Sequence, residues 1–184
     1  LSVGSLELAQ STEDPIEIAS AWYGLGSALY HCAALDKAVD AYAQCVDLGV
    51  THDHAVLAAQ GMTGMGHCYF VLGQTEQAIT NYNVAVKYYG NLRNPLAEAY
   101  VRTWIAEALA KDGKHGEAVA EFDRALACCD QAHETFADAA ETSRGDIRAR
   151  KARLFGNVGL RGDQKREAEL ARKHGATAPP SVEP

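Results

Sequence analysis

The chain has 184 residues, of which 47% are hydrophobic and only five are proline; that is one domain's worth, long enough for a continuous core and biased toward helix. Its formal charge is −7, no run approaches the roughly 18 apolar residues of a membrane span, and nothing in it resembles a signal peptide. Five cysteines (Cys32, Cys45, Cys68, Cys128, Cys129) form an odd set without a CxxC pair, which argues against a disulfide framework and reads as reduced structural thiols in a cytoplasmic protein.

In chain order, residues 1–13 carry Val3, Leu6, Leu8 and Ala9 ahead of a polar stretch. They read either as the end of a helix whose partner lies outside the chain or as a capping helix; a start at Leu1 rather than Met fits an excised piece. Asp14-Pro15 opens the next helix, with Asp14 placed to cap and Pro15 in the first turn. Helix pairs are predicted at about 15–48, 54–89 and 95–130. The connectors between pairs, 49–53 and 90–94, each begin with a glycine suited to a helix C-terminus. Asp53 and Asn94 stand ready to cap the helices that follow, the second with Pro95 behind it. Beyond His133 the register weakens, and 134–175, interrupted by Gly145 and Gly156, reads as a degenerate fourth pair that caps the array. Residues 176–184 hold three of the five prolines and read as a disordered tail. The expectation is one helical-repeat domain over 1–175.

The stretch 62–86 recurs at a forty-residue step. Gly66, Tyr69, Ala78, Tyr82 and Ala85 correspond to Gly26, Leu29, Ala38, Tyr42 and Cys45 before them, and to Ala106, Leu109, Ala118, Phe122 and Ala125 after them. Small falls on small and large on large, apart from Cys45 in place of alanine. Within a copy, Met62, Met65, Gly66 and Tyr69 follow three- and four-residue steps, Gly73 interrupts, and Ala78, Ile79, Tyr82, Ala85 and Val86 resume them. That is a helix, a turn and a second helix, with Gly66 and Ala78 small enough to let the two approach. One such pair buries little apolar area, so neighbouring pairs must stack.

Trp22-x2-Leu25-Gly26-x2-Leu29 with Ala38-x3-Tyr42, Met62-x2-Met65-Gly66-x2-Tyr69 with Ala78-x3-Tyr82, and Arg102-x2-Ile105-Ala106-x2-Leu109 with Ala118-x3-Phe122 resemble the tetratricopeptide repeat. The closing proline of that pattern is replaced by Val50, Gly90 and Asp130, and the spacing exceeds the standard repeat of about 34 residues. The longer form resembles arrays in signalling ATPase regulators, bacterial peptide sensors and kinesin-light-chain scaffolds. The resemblance implies an all-α fold: a right-handed superhelical array of antiparallel helix pairs, with three clear repeats and a degenerate capping pair.

It also implies a non-catalytic scaffold, a segment of a larger bacterial regulatory or signalling protein that binds a protein or peptide on the concave face lined by first helices. Carried onto this sequence, the groove residues are Tyr23, Ser27 and Tyr30, then Gln60, Thr63, His67 and Phe70, then Tyr100, Thr103, Glu107 and Lys111, a mixture of aromatic and hydrogen-bonding groups suited to an extended peptide or a helix. Tyr30, Phe70 and Tyr100 could equally pack between pairs. A peptide-sensing array and a self-association module are the alternative readings. The carboxylate clamp of chaperone-binding relatives needs cationic donors, and Lys111 alone is near, so chaperone C-terminal peptides are not expected to bind.

No cofactor, metal or catalytic group is expected. His52-Asp53-His54 lacks a third ligand nearby in sequence, the adjacent His31-Cys32 and His67-Cys68 diverge on a helix, and the paired glycines do not follow strands. Charge is uneven: residues 1–143 hold 7 Lys and Arg against 19 Asp and Glu, whereas 144–184 hold 10 against 5. The basic segment reads as a solvated capping helix. No aromatics are interleaved there for base stacking, so nucleic acid is not the expected partner.

Overall fold

The computed structural model describes residues 14–133 and 135–175; the helix expected at 1–13 and the tail expected at 176–184 lie outside them. The described residues form eight α-helices and no strand: α1 (Pro15–His31), α2 (Leu35–Thr51), α3 (Ala55–Val71), α4 (Thr75–Asn91), α5 (Pro95–Lys111), α6 (His115–Ala132), α7 (Ala137–Asn157) and α8 (Arg161–Lys173). They fall into two compact units, Leu1–Arg93 with α1–α4 and Asn94–Pro184 with α5–α8. In the first, α2 packs on α1 and α3, α3 packs on α4, and α1 also meets α3. The second repeats this plan with α6 on α5 and α7, α7 on α8, and α5 meeting α7.

The period has a simple backbone origin. Helices α1 to α5 are each 17 residues long, and a three-residue connector follows each. The middle connector residue lies in the left-handed region at Ala33, Asp53, Gly73, Arg93 and Gly113, one position in every twenty. Around Ala33, Asp53, Gly73 and Gly113 the turn is closed by paired bonds of the Schellman type: at the first, Ala34 N–H donates to Leu29 O (2.9 Å) and Ala33 N–H to Tyr30 O (3.0 Å). Two such turns build one repeat of forty.

Some helix limits differ from the expected ones. Gly49 and Gly90 do not end their helices but lie within α2 and α4, and the left-handed role falls to Asp53 and Arg93. Gly49 is kept small for another reason: a Cβ there would stand 2.8 Å from the backbone nitrogen of Ala58. The cap of α3 is His54, whose Nδ1 accepts from Leu57 N–H at 3.3 Å, so Asp53 does not cap. Asp14 and Asn94 cap α1 and α5, accepting from Ile16 N–H (2.8 Å) and Ala97 N–H (3.1 Å). Gly145 and Gly156 lie inside an unbroken α7.

The core follows the forty-residue correspondence. Ala19 and Ala99 with Ala59, Gly26 and Gly66 with Ala106, Ala38 and Ala78 with Ala118, and Tyr42 and Tyr82 with Phe122 are all buried. The small residues accept large ones. A Cβ on Gly66 would lie 2.4 Å from Cε1 of Tyr82, and one on Gly26 would lie 2.7 Å from Cδ1 of Tyr42. The opposite side of the Tyr42 ring meets Gly64, where a Cβ would stand 2.5 Å from Cζ. Tyr42 of α2 is thus held between glycines of α1 and α3. Burial of this kind, summed over copies, replaces the single large core of an ordinary globular domain.

Candidate functional site

In the first unit, α1 and α3 bring Tyr23, Ser27, Tyr30 and His67 into one cluster backed by two core tyrosines. The Tyr23 and Tyr42 rings are 5.7 Å apart, and Ser27 hydrogen-bonds the Tyr42 hydroxyl. Burial raises the Tyr42 phenol well above its ordinary range. Across the helix boundary the Tyr30 ring lies 6.4 Å from the His67 ring. His67 Nδ1 is 2.7 Å from the Tyr82 hydroxyl. Gln60 and Phe70 are half-buried further along α3.

Burial holds the His67 imidazole down to about 4, against an ordinary 6.5, so it is neutral in the folded chain near neutrality. Between pH 6.5 and 4 the unfolded chain therefore binds more protons than the folded one. Stability is expected to fall as pH drops through that window, with a slope of up to about 1.4 kcal/mol per pH unit. Urea denaturation across the range should show a flatter profile for His67→Gln; an unchanged slope would rule His67 out as its source.

In the second unit, α5 and α7 line a pocket of about 120 Å³ formed by Tyr100, Thr103, Trp104, Ser143, Asp146, Ile147 and Arg150. Tyr100 is 51% exposed and meets Trp104 edge to face, with centroids 6.3 Å apart. The Arg150 guanidinium lies 5.0 Å from the Trp104 ring centre, while its Nη1 donates to Glu107 Oε1 at 3.3 Å. Lys111 is exposed in the last turn of α5.

Two members of the expected groove row are placed otherwise. Thr63 and Thr103 are 7% and 4% exposed, and each Oγ1 donates 2.8 Å to the carbonyl four residues earlier, Ala59 O and Ala99 O. These hydroxyls are satisfied by their own helices, so a bound peptide would not reach them as open donors. Glu107 is engaged by Arg150. Trp104, Ser143, Asp146 and Arg150 were not in the expected row, although the Tyr100–Trp104 spacing of four is visible in the sequence. Ser143, Asp146 and Arg150 lie on α7, a segment whose sequence reads as a cap, and Trp104 lies on α5.

That segment is not simply solvated. Lys151, 6% exposed, reaches Asp123 of α6 (2.6 Å) and Glu167 of α8 (3.6 Å), and Arg148 also donates to Glu167 (3.0 Å). Arg144 pairs with Asp130 (2.6 Å) and Glu141 (2.9 Å). The basic residues of α7 thus fasten it to its acidic neighbours. Burial also pushes the thiols of Cys45, Cys68, Cys128 and Cys129 up to about 11, which keeps them protonated and unreactive near neutrality. Among the described residues no group of three His, Cys, Asp or Glu could hold a metal ion. None of their helices is long and apolar enough to cross a membrane.

Helix pairs repeating at forty residues, with first-helix side chains gathered at shared faces, define an α-solenoid repeat protein. Tetratricopeptide-repeat profiles match residues 19–48 and 63–133, and the chain belongs to the tetratricopeptide-repeat family. No curated protein matches it. Among solved structures it is similar to aspartyl phosphate phosphatase F from Bacillus subtilis, with a TM-score of 0.79 at 15% identity over 88% of this chain and 41% of that one. It therefore spans about two fifths of that relative's length. BtubC (BKLC) from P. vanneervenii is similar with a TM-score of 0.81 at 16% identity, over 100% of this chain and 76% of that one. The nearly identical TPR-like repeats of a putative kinesin light chain from Podospora anserina give a TM-score of 0.72 at 17% identity, over 92% of this chain and 81% of that one.

Proposed function

We propose that this chain is a non-catalytic scaffold that binds a peptide or protein segment along the faces made by its first helices, α1 with α3 and α5 with α7. The observation that carries this reading is the α5–α7 pocket. An aromatic side chain half open to solvent, Tyr100, stands there beside Trp104 on a cleft with mixed polar and apolar walls. Binding pockets combine such apolar area with a few placed polar groups, and aromatic residues anchor most interfaces. The Tyr23–Tyr30–His67 cluster supplies a second face of similar chemistry. The fold shared with aspartyl phosphate phosphatase F supports placing the scaffold within a larger bacterial regulatory or signalling protein.

The test is selection of binders from a random dodecapeptide library on the intact chain, followed by hydrogen exchange with and without a selected peptide. Protection is expected over α1, α3, α5 or α7. Protection confined to α2, α4 and α6, or a library that yields no binder, would overturn the reading.

A further inference from the structure

The α5–α7 pocket carries more information than its aromatic lining, and the inference drawn from it rests on the binding reading above. On α5, Tyr100, Trp104 and Glu107 are spaced by four and three residues and share one face. On α7, Ser143, Asp146, Ile147 and Arg150 are spaced by three, one and three, again sharing a face. Asp146 and Arg150 are four apart, the spacing at which opposite charges on a helix ordinarily meet. They do not pair here. Arg150 is drawn across to α5, where Glu107 accepts from its Nη1 at 3.3 Å and the Trp104 ring lies under its guanidinium at 5.0 Å. Asp146 is left exposed as the pocket's carboxylate, and among the described residues it has no ion-pair partner.

The charge pattern decides what such a pocket attracts. An acidic side chain entering it would face Asp146 and would have to compete with Glu107 for Arg150. A cation would find a carboxylate without a counter-charge beside the half-exposed Tyr100 side chain, the face of Trp104 being taken by Arg150. At about 120 Å³ the pocket is well below the roughly 300–1,000 Å³ of small-molecule sites, which suits a single side chain. We propose that this pocket receives a lysine or arginine side chain of the bound peptide, its charge paired with Asp146 and its stem laid along Tyr100.

The test uses the dodecapeptides selected on the intact chain. They should share a lysine or arginine at one position, and their binding should change the Trp104 emission in a Trp22→Phe background. Replacing that residue with norleucine or citrulline, and separately making Asp146→Asn, should each weaken binding about tenfold. The peptide change leaves the protein untouched, so a folding defect cannot imitate it. Selected peptides without such a basic residue, or peptides whose binding survives both changes, would overturn the assignment while leaving the scaffold reading intact. A library with no binders would defeat both.

Discussion

Replacing Tyr82 with alanine is expected to lower the stability of the α1–α4 unit by about 3–5 kcal/mol, the range found for large aromatic truncations in packed cores. The ring is fully buried, and it occupies the place where α3 would otherwise carry a side chain at position 66. Removing it leaves a void walled in part by the bare backbone of Gly66. His67 also loses the hydroxyl beside its Nδ1, so Tyr82→Phe alone should cost about 1–2 kcal/mol. The reciprocal change gives the same contact from the other side. Gly66→Ala would put its methyl inside the Tyr82 ring, costing about 1–3 kcal/mol by overpacking, which outweighs a helix-propensity gain of at most about 1 kcal/mol. Gly24→Ala, also in a helix but with nothing within 4 Å of its Cβ, should instead stabilise by about 0.5–1 kcal/mol. Urea midpoints decide the matter; a Tyr82→Ala loss below about 1 kcal/mol would mean that the pairs do not depend on this ring against glycine.

The second large effect is expected in the other unit. Glu167 is only 4% exposed and receives both Arg148 and Lys151, while Lys151 also holds Asp123. Glu167→Ala leaves Arg148 without its carboxylate and Lys151 with only the half-exposed Asp123 in a largely dry site. Breaking a buried ionic cluster from one side costs about 3–5 kcal/mol; the remaining Asp123 contact should hold the loss nearer 3 kcal/mol. Charge burial, not surface attraction, is the cause, so added salt should change the loss little. Thermal unfolding of Glu167→Ala at low and high ionic strength checks both statements. A loss under about 0.5 kcal/mol, or one that disappears in salt, would show that this cluster is solvated.

The helical repeat was legible because its signal is redundant. Ala38, Ala78 and Ala118, or Tyr42, Tyr82 and Phe122, say the same thing three times, and all six are buried. Individual glycines were less readable, since the same residue serves a left-handed turn at Gly73 and close packing inside a helix at Gly49. The open faces were harder still. Helix α3 is buried at Leu57, Ala58, Ala59, Gly61, Thr63, Gly64, Gly66 and Cys68, because α1, α2 and α4 all pack on it. A face chosen as the side opposite the small residues is then only partly open: Gln60, His67 and Phe70 are half-buried, and Thr63 turns its hydroxyl back onto its own helix. The pocket in the second unit depends on Arg150 reaching Glu107 across 43 positions of sequence, a long-range choice between two acids that local spacing does not reveal.

Ala33, Asp53, Gly73, Arg93 and Gly113 adopt one backbone shape with four different side chains. The chain keeps its beat by conformation, not by composition. A search for such arrays that counted glycines would miss the bar lines at alanine, aspartate and arginine, whereas counting twenty from any one of them recovers its neighbours.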